Sequence, residues 1–144
     1  MKAAYWIGTI AAFVLLGLAA ASSEPQKLRE RMASQEARLI KDADATNKAC
    51  GTKLAVKFNW AGVKEDDLLK YSAEGFCDAA LEGIRQVCGD AAGKDAVKEK
   101  IKSVTCGFGA SRGITLKDGA VFYKISFRST NDTAFVYEAL ENAL

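Results

Sequence analysis

The sequence predicts an α+β domain in which helices cover one face of a four-stranded, mainly antiparallel sheet. Alternating apolar residues mark four short strands, and apolar residues spaced three and four apart mark the helices. The predicted order is β-α-α-β-β-β-α, preceded by an N-terminal helical segment. The last three strands are joined by short links, and such links favour antiparallel pairing.

The individual elements follow from periodicity and from residues that begin or end them. Asp118 and Gly119 are typical of a two-residue hairpin turn between the last two strands. Gly89 is expected to end the long helix, and the Asn131 side chain is expected to cap the last one. The predicted strands are 52–60, 104–108, 114–117 and 120–128, and the predicted helices are 64–88, 95–102 and the segment from 131 onward.

The N-terminus, residues 1–21, is predicted to be a signal peptide. After the basic start no charged residue occurs before Glu24, and the apolar centre 10–18 is followed by small residues. This arrangement is typical of a secretory leader, with cleavage expected after Ala21 and Ser23 as the alternative. An uncleaved anchor is the competing interpretation, because a transmembrane helix needs about 20 apolar residues. We therefore expect an exported protein, periplasmic or extracellular, that meets the membrane only through its leader.

Composition excludes several classes of function. The 144 residues contain no histidine, which removes every mechanism that depends on imidazole. The formal net charge of +2 supports neither a nucleic-acid packaging protein nor an acidic disordered tail. Nothing in the sequence indicates a cofactor, and the length fits one domain.

The exported chain divides into a charged helical segment or linker, residues 22–48, and a disulfide-bonded domain, residues 49–144. The segment is rich in charge and alanine, which is compatible with a lightly packed helix or with a partly disordered spacer. A partner-binding helix is a third interpretation. The narrow apolar stripe of this segment consists of Leu28, Met32, Leu39, Ile40 and Ala43.

The four cysteines are expected to form two disulfides, because export leads to an oxidising compartment. Cys77 and Cys88 lie eleven residues apart in one predicted helix, which separates them by about 16 Å and prevents a bond between them. If the helix folds back along the first strand, Cys50 pairs with Cys88 and Cys77 with Cys106, the arrangement we favour. Pairing of Cys50 with Cys77 and of Cys88 with Cys106 stays open. A four-thiolate zinc site is disfavoured because short paired spacings are missing.

Strand alternation predicts a basic surface on the sheet face away from the helices. This face is expected to carry Lys53, Lys57, Lys117, Lys124 and Arg128, with Thr105, Thr115, Phe122 and Ser126 among them. The helical segment 65–90 is by contrast mainly acidic. A surface of one sign attracts anions, so an anionic ligand or an acidic protein surface is the expected partner. The competing interpretation is that these cations only keep an open sheet soluble.

Two glycine patterns have both a functional and a structural interpretation. In the run 106–113, glycine amides and Arg112 are candidates for holding a phosphate, although a hairpin loop with positive φ angles explains the glycines more simply. Gly75, Ala79 and Gly83 form a small-residue ridge that either packs against another helix or receives a partner chain.

The sequence therefore predicts a non-enzymatic exported binding or adaptor module for an anionic partner. One alternative is a small cell-wall-active hydrolase that uses carboxylates from the set Glu65, Asp66, Asp67 and Glu74. Another is a structural assembly subunit that uses the small-residue ridge. Nucleic acid is a disfavoured partner because Phe122 is the single aromatic expected on the basic face. The oligomeric state and the ligand are left open.

Overall fold

A computed structural model describes residues 23–144 of the chain. The expected signal peptide and the alternative membrane anchor lie outside these residues. Within residues 23–144, no helix is both long enough and apolar enough to cross a membrane. The elements, in chain order, are α1 (Ser23–Cys50), β1 (Ala55–Asn59), α2 (Glu65–Lys70), α3 (Ala73–Val87), α4 (Ala91–Lys100), β2 (Ser103–Phe108), β3 (Gly113–Lys117), β4 (Ala120–Ile125) and α5 (Asp132–Ala143).

The α+β class is confirmed, but the sheet is mixed rather than mainly antiparallel. Its strand order is β1-β2-β4-β3, with β1, β2 and β4 parallel and only β3 antiparallel to its neighbour. The link 109–112 does not close a hairpin, because β4 is inserted between β2 and β3. Four residues are enough to cross one intervening strand, since neighbouring strands lie about 4.8 Å apart.

Burial explains why β2 and β4 take the central positions. Val104 and Cys106 in β2 are fully buried, as are Val121, Tyr123 and Ile125 in β4. The edge strands are more exposed, and only Phe58 of β1 is buried while β3 has no fully buried residue. The most apolar strands thus lose the most water-accessible surface, which is the arrangement that hydrophobic burial favours.

Helices α1, α3 and α5 form a single layer over one face of the sheet. The central helix α3 packs between α1 and α5, with α1 toward β1 and α5 toward β3. The residues of α3 that face inward include Cys77, Ala80, Leu81 and Ile84, which are completely buried. The other face of the sheet has no helix over it among the described residues, as the sequence analysis expected.

Residues Ser23–Cys50 form one continuous helix, α1, that packs along α3. Its buried residues are Gln35, Leu39, Ala43, Thr46 and Cys50, whereas Ile40 is 61% exposed. The predicted apolar stripe was therefore only partly right. Two polar residues occupy the buried face because both find hydrogen-bond partners in the structure.

Several predicted boundaries were wrong for local reasons. The long helix 64–88 is divided into α2 and α3 by an extended Tyr71 and by Ser72, whose hydroxyl accepts from Gly75 N at 3.2 Å and so begins α3. Similarly, Asp90 caps α4, which begins at Ala91, four residues before the predicted start at Asp95. Strand β4 ends at Ile125, not at position 128, and a turn follows.

Of the two predictions for the C-terminal part of the chain, the hairpin at Asp118 and Gly119 is confirmed and the helix cap at Asn131 is not. Asp118 and Gly119 have φ angles of 51° and 80°, so the hairpin between β3 and β4 is present as predicted. Asn131 has a left-handed conformation, with a φ of 58°, and its side chain does not cap α5. The predicted cap was therefore wrong.

One disulfide joins two helices of the layer, and a second joins the layer to the sheet. Cys50, at the end of α1, pairs with Cys88 after α3, and Cys77 in α3 pairs with Cys106 in β2. These are the pairs that the sequence analysis favoured. Two disulfides indicate an oxidising environment of the kind that an exported protein meets.

Candidate functional site: the open basic sheet face

The sheet face opposite the helices is lined by three lysines and an exposed phenylalanine. In the register of the sheet, Lys57 on β1, Thr105 on β2, Phe122 on β4 and Thr115 on β3 form one row across all four strands. Phe122 is 50% exposed in the middle of that row. Lys117 and Lys124 lie on the same face, in the rows on either side. We call this surface the open basic face.

No acidic residue occurs in any of the four strands. The open basic face is therefore positive with no carboxylate of its own to neutralise it. Among the described residues, Lys57, Lys117 and Lys124 form no ion pair and no side-chain hydrogen bond. Their charges remain available to a negatively charged ligand.

A shallow cavity of about 440 Å³ lies on this face between β2 and β3. Its lining includes Asn59, Gly107 and Gly113, which share one row with Lys124. Because Gly107 and Gly113 have no side chains, this row is low enough to form a depression beside Phe122. The cavity has both an aromatic wall and a cation at its border.

The glycine-rich run 106–113 forms neither a hairpin with positive φ angles nor a loop whose Arg112 is free for a phosphate. Its glycines do not have positive φ angles, so the expected strained hairpin is absent. Instead, the run crosses the end of β4, where Gly109 N donates to Ile125 O at 2.9 Å. A Cβ at Gly109 would lie 2.1 Å from Lys124 Cδ, so the lysine stem occupies the space that a side chain would need.

Three of the cations predicted for the anion-binding set lie elsewhere. Lys53 precedes β1 and lines a hollow of about 470 Å³ with Lys98 and Lys102, at the amino ends of the parallel strands. Arg128 lies in the turn beyond β4 and lines a hollow at the opposite end. Only Lys57, Lys117 and Lys124 of the predicted set share the open basic face.

Arg112, the remaining member of that set, is held by the protein itself. Its Nη1 donates to Thr130 O at 2.6 Å and lies 3.6 Å from the carboxylate of Asp132, and its guanidinium stacks 4.1 Å from the ring centre of Phe135. These contacts satisfy the charge and join the crossing loop to α5. Arg112 therefore has a structural partner where the sequence analysis proposed a ligand.

The acidic helical surface that was expected opposite the lysines is partly an internal seam between α1 and α3. Arg85 pairs with Asp78 at 2.9 Å and with Glu82 at 2.6 Å, and Arg38 from α1 pairs with Glu74 at 3.3 Å. These ion pairs reduce the expected charge contrast between the helical layer and the sheet. The positive sign of the open basic face does not depend on that contrast.

Asp42 is the least well accommodated group in this seam. Its Oδ2 is buried and has no hydrogen-bond partner among the described residues. Burial raises the pKa of the Asp42 carboxyl above its ordinary value, and the nearby charges of Asp78 and Glu74 raise the pKa further, while Arg85 lowers it. The ionised form of Asp42 is therefore disfavoured in the folded protein.

The carboxylates proposed for hydrolysis have separate environments. Glu65 and Asp66 are exposed in the first turn of α2, whereas Glu74 accepts from Ser72 Oγ and pairs with Arg38. Asp67 lines the hollow that contains Arg128. Within residues 23–144, no group of three or more histidine, cysteine or carboxylate side chains is arranged to hold a metal ion.

The small-residue ridge packs against a helix of the same chain. A Cβ at Gly83 would lie 2.8 Å from Thr133 O and 2.9 Å from Val136 Cβ, so α5 approaches α3 as closely as glycine permits. Gly75 by contrast is exposed and would tolerate a Cβ. Packing of α5 thus accounts for Gly83.

Sequence reasoning missed a second group of basic residues, Lys64 and Lys70, which join Arg128 around Tyr71. Lys64 precedes α2 and Lys70 is its last residue, and in the sequence they are isolated cations beside an acidic stretch. Only the packing of α2 beside the turn after β4 brings them together, and no periodic pattern encodes that contact.

No protein-family model matches this chain, and no curated protein or solved structure is similar enough to it to indicate a family.

Proposed function

We propose that this protein is a non-enzymatic exported binding module that holds an extended anionic ligand on the open basic face. The observation that carries the proposal is the set Lys57, Lys117 and Lys124, three cations with no internal partner around an exposed Phe122. Like charges on one surface repel one another, and a bound anion would relieve that repulsion.

The spacing of the cations favours a ligand with several charges. With about 4.8 Å between strands and about 3.3 Å between residues along a strand, their backbone positions are about 12 to 16 Å apart. Strand side chains stand roughly perpendicular to the sheet, so ammonium groups held at this spacing are too far apart to contact one phosphate or sulfate group together. A linear polyanion, such as an acidic polysaccharide, matches this spacing, and Phe122 offers an apolar surface between the charges.

The basic surface continues beyond the sheet face. Lys53, Lys98 and Lys102 surround a hollow at the amino ends of the parallel strands, so cations are distributed along the molecule. A distributed surface of this kind increases the rate of encounter with a polyanion and makes binding sensitive to salt.

Chromatography on a sulfated polysaccharide matrix tests the proposal. We expect the exported protein to be retained in low salt and released by moderate salt, and we expect Lys57→Glu/Lys117→Glu/Lys124→Glu to flow through. The matched control is Lys27→Glu/Lys41→Glu/Lys94→Glu, which makes the same charge change at exposed helical positions. Circular dichroism would establish that both variants are folded. Equal losses in the two triple variants would mean that net charge alone determines retention, and the proposal would then fail.

A further inference from the structure

The carboxyl ends of the parallel strands β2 and β4 form a second basic hollow, separate from the open basic face. It has a volume of about 450 Å³ and lies where β2 and β4 end, beside α2. Its cations are Lys64 and Lys70, at the two ends of α2, and Arg128, in the turn after β4. We call this cavity the strand-end pocket.

The three cations of the strand-end pocket have no internal counterion of their own. Among residues 23–144, none of them forms an ion pair or a side-chain hydrogen bond. Asp67 is the single acidic residue in the lining, so positive charge predominates in the cavity. Arg112 differs from these three cations, because its guanidinium donates to Thr130 O and pairs with Asp132.

The aromatic wall of this pocket, Tyr71, belongs to a packed cluster of four rings. The Tyr71 ring stacks on Phe127 with 4.9 Å between ring centres and an interplanar angle of 5°. Phe127 also stacks with Phe108 at 5.1 Å and meets the edge of Phe76 at 5.4 Å. Tyr71 is 37% exposed where it lines the cavity, and its hydroxyl has no partner among the described residues. A wall fixed in this way offers a ring-shaped ligand contact area at little entropic cost.

We propose that the strand-end pocket binds a single oxyanion group carried on a ring. Convergent cations match a phosphate, sulfate or carboxylate, and the volume falls in the range of small-molecule sites, so it leaves room for a ring beside the anion. The position also agrees with the general tendency of ligands to bind at the carboxyl ends of parallel strands. Lys64, Lys70 and Arg128 hold the anion, and Tyr71 contacts the ring.

Titration with phenyl phosphate and with inorganic phosphate, followed by amide chemical shifts, tests this proposal. We expect phenyl phosphate to shift the amides of Gly109, Ala110 and Arg128 and to bind more tightly than inorganic phosphate. Neutralising Arg128 or Lys70 to Gln should weaken phenyl phosphate binding by about tenfold or more, because each removes a charge-assisted contact. Tyr71→Leu should remove the preference for phenyl phosphate and leave inorganic phosphate binding unchanged.

The control for this experiment is Lys57→Gln, which neutralises a cation of the open basic face. We expect it to leave phenyl phosphate binding unchanged, while it reduces retention on the sulfated matrix. The two proposals can therefore fail separately. Shifts confined to the open basic face, or no shifts at all, would overturn the strand-end pocket. Equal affinities for the two phosphates would overturn the claim that the ligand carries a ring.

Discussion

The Tyr123 hydroxyl, on the core side of β4, donates a hydrogen bond to the Asp132 carboxylate in the first turn of α5. The same carboxylate oxygen accepts from Ser129 Oγ at 2.8 Å and lies 3.6 Å from Arg112 Nη1. Asp132 is only 6% exposed, so these donors replace the water that it would otherwise bind. The crossing loop, β4 and α5 are thereby joined at one buried carboxylate.

Replacing Tyr123 with Phe should change how stability depends on alkaline pH. Burial raises the pKa of Tyr123 above its ordinary value, and the hydrogen bond to Asp132 and its charge raise the pKa further. In the unfolded chain the phenol ionises near pH 10, whereas in the folded protein it keeps its proton. The unfolded state therefore binds fewer protons above pH 10, and the free energy of unfolding should fall by about 1.4 kcal/mol per pH unit from this group.

Urea unfolding of both proteins at pH 7 to 11.5 measures this effect. At pH 7 we expect Tyr123→Phe to be less stable by about 1 to 2 kcal/mol, because Asp132 loses a buried donor. The difference should shrink above pH 10, since Phe has no proton to lose. A constant difference between the two proteins up to pH 11.5 would contradict the raised pKa.

Substitution of the two ridge glycines by Ala should have opposite effects. Gly83→Ala is expected to lower stability by about 1 to 3 kcal/mol, because its Cβ would lie within 3 Å of Thr133 O and Val136 Cβ. Gly75→Ala is expected to raise stability by about 0.5 to 1 kcal/mol, since its Cβ meets only Ser72 at 3.5 Å and alanine favours helix. Thermal unfolding of the two variants measures both effects.

Size-exclusion chromatography of the same variants separates packing within the chain from assembly. We expect the parent and both variants to elute at one volume, because α5 already occupies the ridge at Gly83. A change of elution volume in Gly83→Ala with no loss of stability would support the alternative of a partner chain at this ridge.

The sequence predicted the elements and the cysteine pairs better than it predicted the sheet. Alternation identified which strand residues face the helices, and this is independent of the order in which strands pair. The disulfide argument needed the helix carrying Cys77 and Cys88 to fold back along the first strand, which brings its end near Cys50 and its middle near Cys106. Strand order depended on whether the link 109–112 turns back or crosses β4, and both routes are compatible with its length.

The candidate sites also differ in whether strand alternation could predict them. Lys57, Lys117 and Lys124 could be placed together because parity within a strand assigns a face. Arg128 could not be placed, since β4 ends at Ile125 and parity has no meaning in the turn beyond it. The strand-end pocket depends on contacts between α2 and that turn, which are tertiary and leave no periodic signal.

Asp42→Asn should stabilise the protein at neutral pH. Burial and the charges of Asp78 and Glu74 raise the pKa of Asp42 in the folded state, so ionising it costs more there than in the unfolded chain. A carboxyl with a raised pKa supports folding at low pH and loses that contribution as the pH rises above the unfolded pKa of about 4. The uncharged amide has no such loss. We therefore expect the variant to have the higher melting temperature at pH 7.

The pH dependence of that gain distinguishes relief of ionisation from better packing. The melting temperatures of Asp42→Asn and the parent should converge at pH 3, where Asp42 is protonated in both states. Asp44→Asn, at an exposed position on the same helix, is the matched control and should leave the melting temperature unchanged. A gain that is equal at pH 3 and pH 7 would exclude ionisation of Asp42 as the cause.

Removing either disulfide should lower stability, and only one removal should loosen α1. The bonds have sequence separations of 38 and 29, so each closes a loop for which chain entropy predicts about 3.5 to 4 kcal/mol. Cys50→Ala/Cys88→Ala frees the C-terminal end of α1, whereas Cys77→Ala/Cys106→Ala leaves that end attached to α3. Urea unfolding should show similar losses of unfolding free energy for both double variants.

Hydrogen exchange should then show reduced protection along α1 in the Cys50→Ala/Cys88→Ala variant alone, because local opening of α1 no longer requires the end of α3 to move with it. Equal loss of α1 protection in both variants would contradict the prediction. It would mean that α1 opens only when the whole protein unfolds, so that packing of Leu39 and Ala43 on α3 holds the helix without help from the Cys50 bond.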